Sequence, residues 1–377
     1  MSAVLLILGD GSAHKRLATM VLFLMLATIV VEGAQQAADR NSNQPAQVEM
    51  ILQTASRFIE AHELEKAESV LKPLLDRSPK DADGLTLLGK IRLEQHRLDE
   101  AMKAFEAVLK TEPKNAAARA GEVEAGIASA LQAKHAGDHD GAMVYLVRAR
   151  KYVADDAELL FDFGVHADTM HLYKDAEEAL TRSLELRPND AQTIYALGHL
   201  ELDEQKMPQA EVHLRQYLKL RPEDASAHYG LGKLMHILLR DEEAQVELLR
   251  SVELQPQQTE SYYELGAIEL ERHQDDGATG LFEKVLERNP KHGGALTGMG
   301  IIAYGTKEYP KAESYLKLAV LSAPNYSQAH FYYGMVLMRL GRTAEAEKEL
   351  TLAKNAEEKE KQEERGFALS TSEPDPH

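Results

Sequence analysis

Two stretches, LRPNDAQTIYALG (Leu186 to Gly198) and LRPEDASAHYGLG (Leu220 to Gly232), stand 34 residues apart and nearly match. The same period runs outward from them. Glycine recurs at Gly164, Gly198, Gly232, Gly266, Gly300 and Gly334. Twelve residues after each glycine comes an alanine, and Ala67, Ala101 and Ala142 extend that series toward the N-terminus. A proline follows in most copies: Pro79, Pro113, Pro188, Pro222, Pro256, Pro290 and Pro324, with Ala154 and Glu358 in the other two. Each copy carries two apolar stripes at helical spacing, such as Ile194 and Leu197 before the glycine, then Leu214 and Leu218 before the proline. Small residues let two facing helices approach, the proline closes the second helix, and Asp190 or Asp224 caps the next one. Each copy therefore reads as one helix hairpin, and a hairpin buries both faces only by stacking on its neighbours.

On these marks the chain resembles the tetratricopeptide-repeat family. Its pattern of an apolar residue at repeat position 4, Leu-Gly at 7–8, Ala at 20, an aromatic or leucine at 24 and Pro at 32 is met in 191–224 by Ile194, Leu197, Gly198, Ala210, Leu214 and Pro222. The resemblance implies an all-α fold, a right-handed α-solenoid of about nine stacked helix-turn-helix hairpins. Their expected spans are 48–81, 82–115, 116–156, 157–190, 191–224, 225–258, 259–292, 293–326 and 327–360. The domains expected are thus an N-terminal pair (48–115), one long repeat (116–156) and six regular repeats (157–360), with a helix end and disordered tail over 361–377. Copy 116–156 lacks both Leu-Gly and proline and carries seven extra residues. Seven residues make nearly two turns, so they can lengthen a helix by ~10 Å without rotating its apolar face; Gly126 or the AGDHDG stretch (Ala136 to Gly141) offers another place to absorb them.

At the N-terminus, His14, Lys15 and Arg16 precede the apolar run Leu17 to Val31, then Glu32, Gly33 and Ala34. A basic patch, a short apolar core and small residues are the pattern of a secretory signal. Residues 1–34 are expected to be a signal peptide or a membrane anchor and 35–47 a polar linker. The body would then be exported, periplasmic or extracellular, or anchored to an inner membrane facing the periplasm. The formal charge of −18 argues against nucleic acid and favours basic proteins or peptides as partners. With no cysteine, disulfides, thiolate metal sites and cysteine nucleophiles are excluded.

Little in the sequence reads as catalytic. His62, His96, His171 and His273 share the turn position between two helices, where a left-handed backbone is needed. GIIAYGTK (Gly300 to Lys307) only mimics a phosphate loop, since Thr precedes Lys and Gly300 is the repeat glycine. His135 and His139 flank a loop with Asp138 and Asp140 and form a weak metal candidate; no metal or other cofactor is expected. The functional candidates lie at position 5 of successive first helices: Phe161, Tyr195, Tyr229, Tyr263, Thr297 and Phe331. The resemblance implies that this position lines a concave groove, where a superhelix would stack the rings into a ladder. His199, Lys233, His236 and Tyr304, at positions 9 and 12, add polar groups to the track. The carboxylate-clamp residues with which some members grip Glu-Glu-Val-Asp tails are missing from every three consecutive copies. The expected role is a non-enzymatic scaffold that holds a protein or peptide during assembly of a bacterial envelope or secretion complex. An accessory subunit of an enzyme, or an enzyme with its site in 116–156, is the alternative.

Overall fold

The computed structural model describes residues 45–371, among which there are eighteen α-helices and no strand. They form nine hairpins. The first three are α1 (45–60) with α2 (Leu64–Arg77), α3 (Ala82–Glu94) with α4 (Leu98–Leu109), and α5 (Ala116–His135) with α6 (His139–Arg150). Then come α7 (Ala157–Thr169) with α8 (Tyr173–Leu186), α9 (Ala191–Asp203) with α10 (Met207–Leu220), and α11 (Ala225–Ile237) with α12 (Asp241–Leu254). The last are α13 (Thr259–Glu271) with α14 (Asp275–Arg288), α15 (Gly293–Gly305) with α16 (Tyr309–Ser322), and α17 (Ser327–Arg339) with α18 (Thr343–Thr371). The chain divides after Asp162, within α7, into two compact units. In the first, Ala55, Ile59, Ala67, Leu71 and Ile91 form one buried cluster. In the second, a cluster running from Ala210 and Leu214 to Leu265 and Ile268 ties three successive hairpins together. The N-terminal signal or anchor lies outside the described residues.

The marks read from the sequence do the expected work. Asp190 accepts a hydrogen bond from the Thr193 amide at 2.9 Å, and Asp224 accepts from Ser226 and Ala227 at 2.9 and 3.1 Å. Each satisfies amides that the first turn of a helix leaves unpaired. Helices α8 and α10 end at Leu186 and Leu220, two residues before Pro188 and Pro222, because the residue before a proline is pushed out of the helical region. All nine repeat alanines are fully buried, so each is a place where no larger side chain fits. The glycine answers a different neighbour. A Cβ on Gly300 would stand 2.5 Å from Leu316, the position-24 side chain of its own hairpin, and one on Gly266 would stand 2.7 Å from Phe282.

Every hairpin also turns through one left-handed residue at a fixed register. His62, His96, His171 and His273 fill it with φ between 55° and 60°, as expected, and so do Gln205, Leu239, Lys307, Gly137 and Gly341. Leu239 is the costly member, since a leucine gains nothing from this conformation and its side chain is 83% exposed.

Three boundaries differ from the expectation. Helix α1 begins at 45, so the end of the polar linker is already its first turn, and Pro45 suits that place because it has no amide to leave unpaired. The seven extra residues of 116–156 all lie in α5, which has 20 residues where α9 and α11 have 13. Gly126 is an ordinary interior residue of that helix, and Ala136 to Gly141 makes the usual turn. Finally, α18 continues to Thr371, into the segment expected to be a disordered tail. No proline ends it at the repeat register, and Gly366 alone costs a helix only about 1 kcal/mol.

Candidate functional site

The first helices of the second unit, α9 to α17, carry the candidate track, and their regular 13-residue length keeps its members in register. Phe161 belongs to the first unit, at the start of α7. Of the others, His199, Lys233 and Phe331 are exposed, while Tyr195, Tyr229, Tyr263, His236 and Tyr304 are half-buried. Thr297 is fully buried, and its hydroxyl donates to the Gly293 carbonyl at 2.8 Å, so it presents nothing to a ligand.

The rings do not form the expected ladder. Tyr195 packs on His199 (ring centroids 4.5 Å) and on Tyr217 of its own hairpin (4.7 Å). Tyr263 packs on Phe282 (6.2 Å) and His292 (4.8 Å), and shares a hydrogen bond with Tyr326. Tyr304 meets Tyr309 and Tyr332, and Phe331 meets Tyr332 edge-on at 5.3 Å. Successive first helices do touch, since Tyr304 of α15 and Tyr332 of α17 have ring centroids 6.1 Å apart, but that contact joins positions 12 and 6, while the position-5 rings Tyr195 and Tyr263 are taken up by Tyr217 and Phe282 of their own hairpins. Tyr195 and Tyr229 instead flank the main core cluster of the unit. They are part packing and part surface.

The electrostatics distinguish the track from an ordinary helix face. Burial holds the His199 imidazole below its usual value although its side chain is exposed, with Asp203 pulling the other way. Burial also raises Tyr229 to about 12, reinforced by Glu264 and Glu260, and raises Tyr263 well above the phenol range. Acids missed in the sequence line the same helices. Glu264 is 8% exposed, and burial raises its carboxyl despite the charges of Lys233 and His236. Asp168 is raised by burial and then by Asp203, and its Oδ1 is buried with no hydrogen-bond partner. They stand at three different repeat positions, Glu264 at 6, Asp168 at 12 and Asp203 at 13, so no shared register marked them in the sequence.

The other chemical candidates resolve simply. The stretch from Gly300 to Gly305 is helical, so it is no phosphate loop. Asp138 spends one carboxylate oxygen on the Gly141 amide at 2.8 Å, capping α6 between His135 and His139. Among the described residues, the one group of three potential metal ligands that does converge is His236, Asp241 and Glu271, with ligand atoms within 4.8 Å of one another.

Family models described as tetratricopeptide repeat match residues 58–122, 195–259 and 297–357, together just over half of the chain. No curated protein sequence matches. Among solved structures, pilF of Pseudomonas aeruginosa is similar with a TM-score of 0.51 and 17% identity, covering 59% of this chain and 99% of its own. The Cut9 and Hcn1 hetero-tetramer of the APC/C gives a TM-score of 0.51 at 16% identity, over 78% of this chain and 56% of the other. YrrB, described as a TPR protein with an unusual peptide-binding site, gives 0.41 at 23% identity, over 49% and 95% of the two chains. At such identities the likeness is one of fold. With nine helix hairpins, seven of them followed by a proline at the repeat position, and family models matching just over half of its length, the chain belongs to the tetratricopeptide-repeat family.

Proposed function

We propose that this protein is a non-enzymatic scaffold that holds an extended protein or peptide segment along the first-helix face of its second unit. The observation that carries the reading is the exposed His199, Lys233 and Phe331 on first helices of the second unit, with the Tyr195 ring packed on His199 at 4.5 Å between centroids. A surface offering rigid aromatic edges and dispersed polar groups is what an extended segment needs for affinity and orientation. Glu264, Asp168 and Asp203 around this face, and the net charge of −18, favour a basic segment. The N-terminal pattern of basic patch and apolar run supports an exported body, and so a role in assembling an envelope or secretion complex. In repeat 116–156 the buried acid Glu122 is fully inaccessible and beyond the reach of a substrate.

The test uses His199→Ala, Lys233→Glu and Phe331→Ala, whose side chains are exposed and whose loss leaves the core intact. Partners crosslinked to the full chain in its native envelope fraction are compared between wild type and the triple variant. Loss of a partner from a variant with an unchanged circular dichroism spectrum and melting point supports the reading. An identical set of partners places binding on another face and overturns it.

A further inference from the structure

Repeat positions 12 and 17 face each other across the turn of a hairpin, and position 13 of the next repeat reaches the same joint. In 191–224, positions 12 and 17 are Leu202 and Met207, both packed on the core. In 293–326 they are Tyr304 and Tyr309, with ring centroids 5.9 Å apart, and Arg339 of the next first helix hydrogen-bonds Tyr304. Between 225–258 and 259–292, all three places hold metal-ligand types: His236 near the end of α11, Asp241 at the start of α12, and Glu271 at the end of α13. His236 Nδ1 lies 3.1 Å from Asp241 Oδ1, and its Nε2 lies 3.8 Å from Glu271 Oε1. The imidazole and the aspartate are mostly buried, with side chains 15% and 23% exposed.

We propose that His236, Asp241 and Glu271 bind one divalent transition-metal ion of the zinc, cobalt or nickel class, stapling these two repeats. One nitrogen and two carboxylate ligands suit this class, and donor atoms around a tetrahedral ion stand about 3.4 Å apart. An imidazole gives an ion one nitrogen, and with one donor atom from each residue the three lie within 4.8 Å of one another, so rotation of the carboxylates, above all the exposed Glu271, closes the set. The ring nitrogen that binds the ion carries no hydrogen, so in the metal-bound form the ring hydrogen stands on the other nitrogen. Two further features fit. At the places of the preceding joint's ion pair, Arg240 with Glu211 at 2.8 Å, this joint has Gln274 and Gln245, and its own cross-repeat ion pair is Arg272 with Glu242 at 3.2 Å. Arg272 bonds Gln245 and Glu242 and lies 3.9 Å from Asp241 Oδ2, which leaves Oδ1 directed at the imidazole. The site is independent of the scaffold reading, since it needs no partner.

The test is a titration of the metal-free full chain with Co2+, followed by visible absorption, together with melting points in Zn2+. Wild type is expected to take one Co2+ with a nitrogen and oxygen ligand-field spectrum, and to melt higher in Zn2+. His236→Leu restores the residue type that Leu202 and Leu270 supply at this position, so it folds; it should lose the spectrum and the Zn2+ effect. Glu271→Gln keeps the shape of the side chain and should weaken Co2+ at least about tenfold. Either variant binding Co2+ as tightly as wild type overturns the proposal. So does a wild type that takes none at about 100 µM, where a site of use to folding would be filled.

Discussion

The hairpin α5/α6 and the hairpin α9/α10 occupy equivalent places in the repeat series, yet they treat one interior position in opposite ways. Counted from the helix start, position 7 is Leu197 in α9, an apolar residue 3% exposed. In α5 it is Glu122, which is 0% exposed, and neither of its carboxylate oxygens has a hydrogen-bond partner. Burial raises its carboxyl to about 8, Glu106 pushes it further up, and Arg148 opposes. Arg148 is already committed to Glu106 at 2.5 Å and Asp99 at 2.6 Å. The lesson concerns register. The two extra turns of α5 keep its helix face, so Gly121 can still be pressed on Phe105 and Gly126 on Ala149. The same face carries an acid into the core where its relatives carry leucine.

Changing that acid should give the largest effect. The folded carboxyl keeps its proton to about pH 8, while the unfolded one loses it near 4.5. The contribution is therefore fully present below pH 4.5 and is lost as pH rises toward 8. Between pH 5 and 7.5 the loss is roughly 3 kcal/mol. Glu122→Leu should remove this slope and stabilise the first unit at pH 7.5. Urea denaturation at both pH values checks it, and a slope unchanged in the variant would refute the assignment.

Next in size is overpacking in the regular hairpin. Ala210 is 0% exposed, and Ala210→Leu should cost roughly 1–3 kcal/mol in denaturant-induced unfolding. A smaller loss would mean that the joint can yield.

The caps should not distinguish the two hairpins. Asn115 caps α5 through the Ala118 amide at 3.1 Å, and Asp190 caps α9 through Thr193 at 2.9 Å. Alanine at either place should cost about 1 kcal/mol, read from the same unfolding curves. A much larger loss at Asn115 would show that the long helix depends on its cap more than the short one does.

The smallest effect compares turns. The long hairpin has Gly137 at the left-handed place with φ 77°, whereas 225–258 has Leu239 with φ 59°. Leu239→Gly should stabilise by less than about 1 kcal/mol, because relief of strain is partly offset by the flexibility of glycine when unfolded. A fall in melting point would instead show that the exposed leucine has packing value.

Much of the architecture was legible because its determinants are local. A proline stops a helix, Asp190 caps the next, and a histidine accepts a left-handed turn, each through atoms a few residues away. The extra turns of α5 were readable as a length, since seven residues preserve a helical face whatever surrounds them. The candidate track was legible only as a register. Which side chains stay free along it depends on neighbours from other helices: Tyr217 and Phe282 take up part of Tyr195 and Tyr263, and Thr297 turns back to its own backbone.

Taken alone, the sequence determined the hairpin and its period, because steric exclusion and capping act within one or two turns. Only the tertiary structure decided which polar groups meet. His228 lies with Nδ1 2.6 Å from Glu247 and Nε2 3.1 Å from the Pro222 carbonyl, and His330 repeats this with Glu349 and Pro324 at 2.6 and 3.0 Å. His236 likewise gains Glu271 from the next repeat. Such meetings depend on the approach of separate helices, which no residue's own propensity encodes, and the same approach leaves Glu122 without a partner.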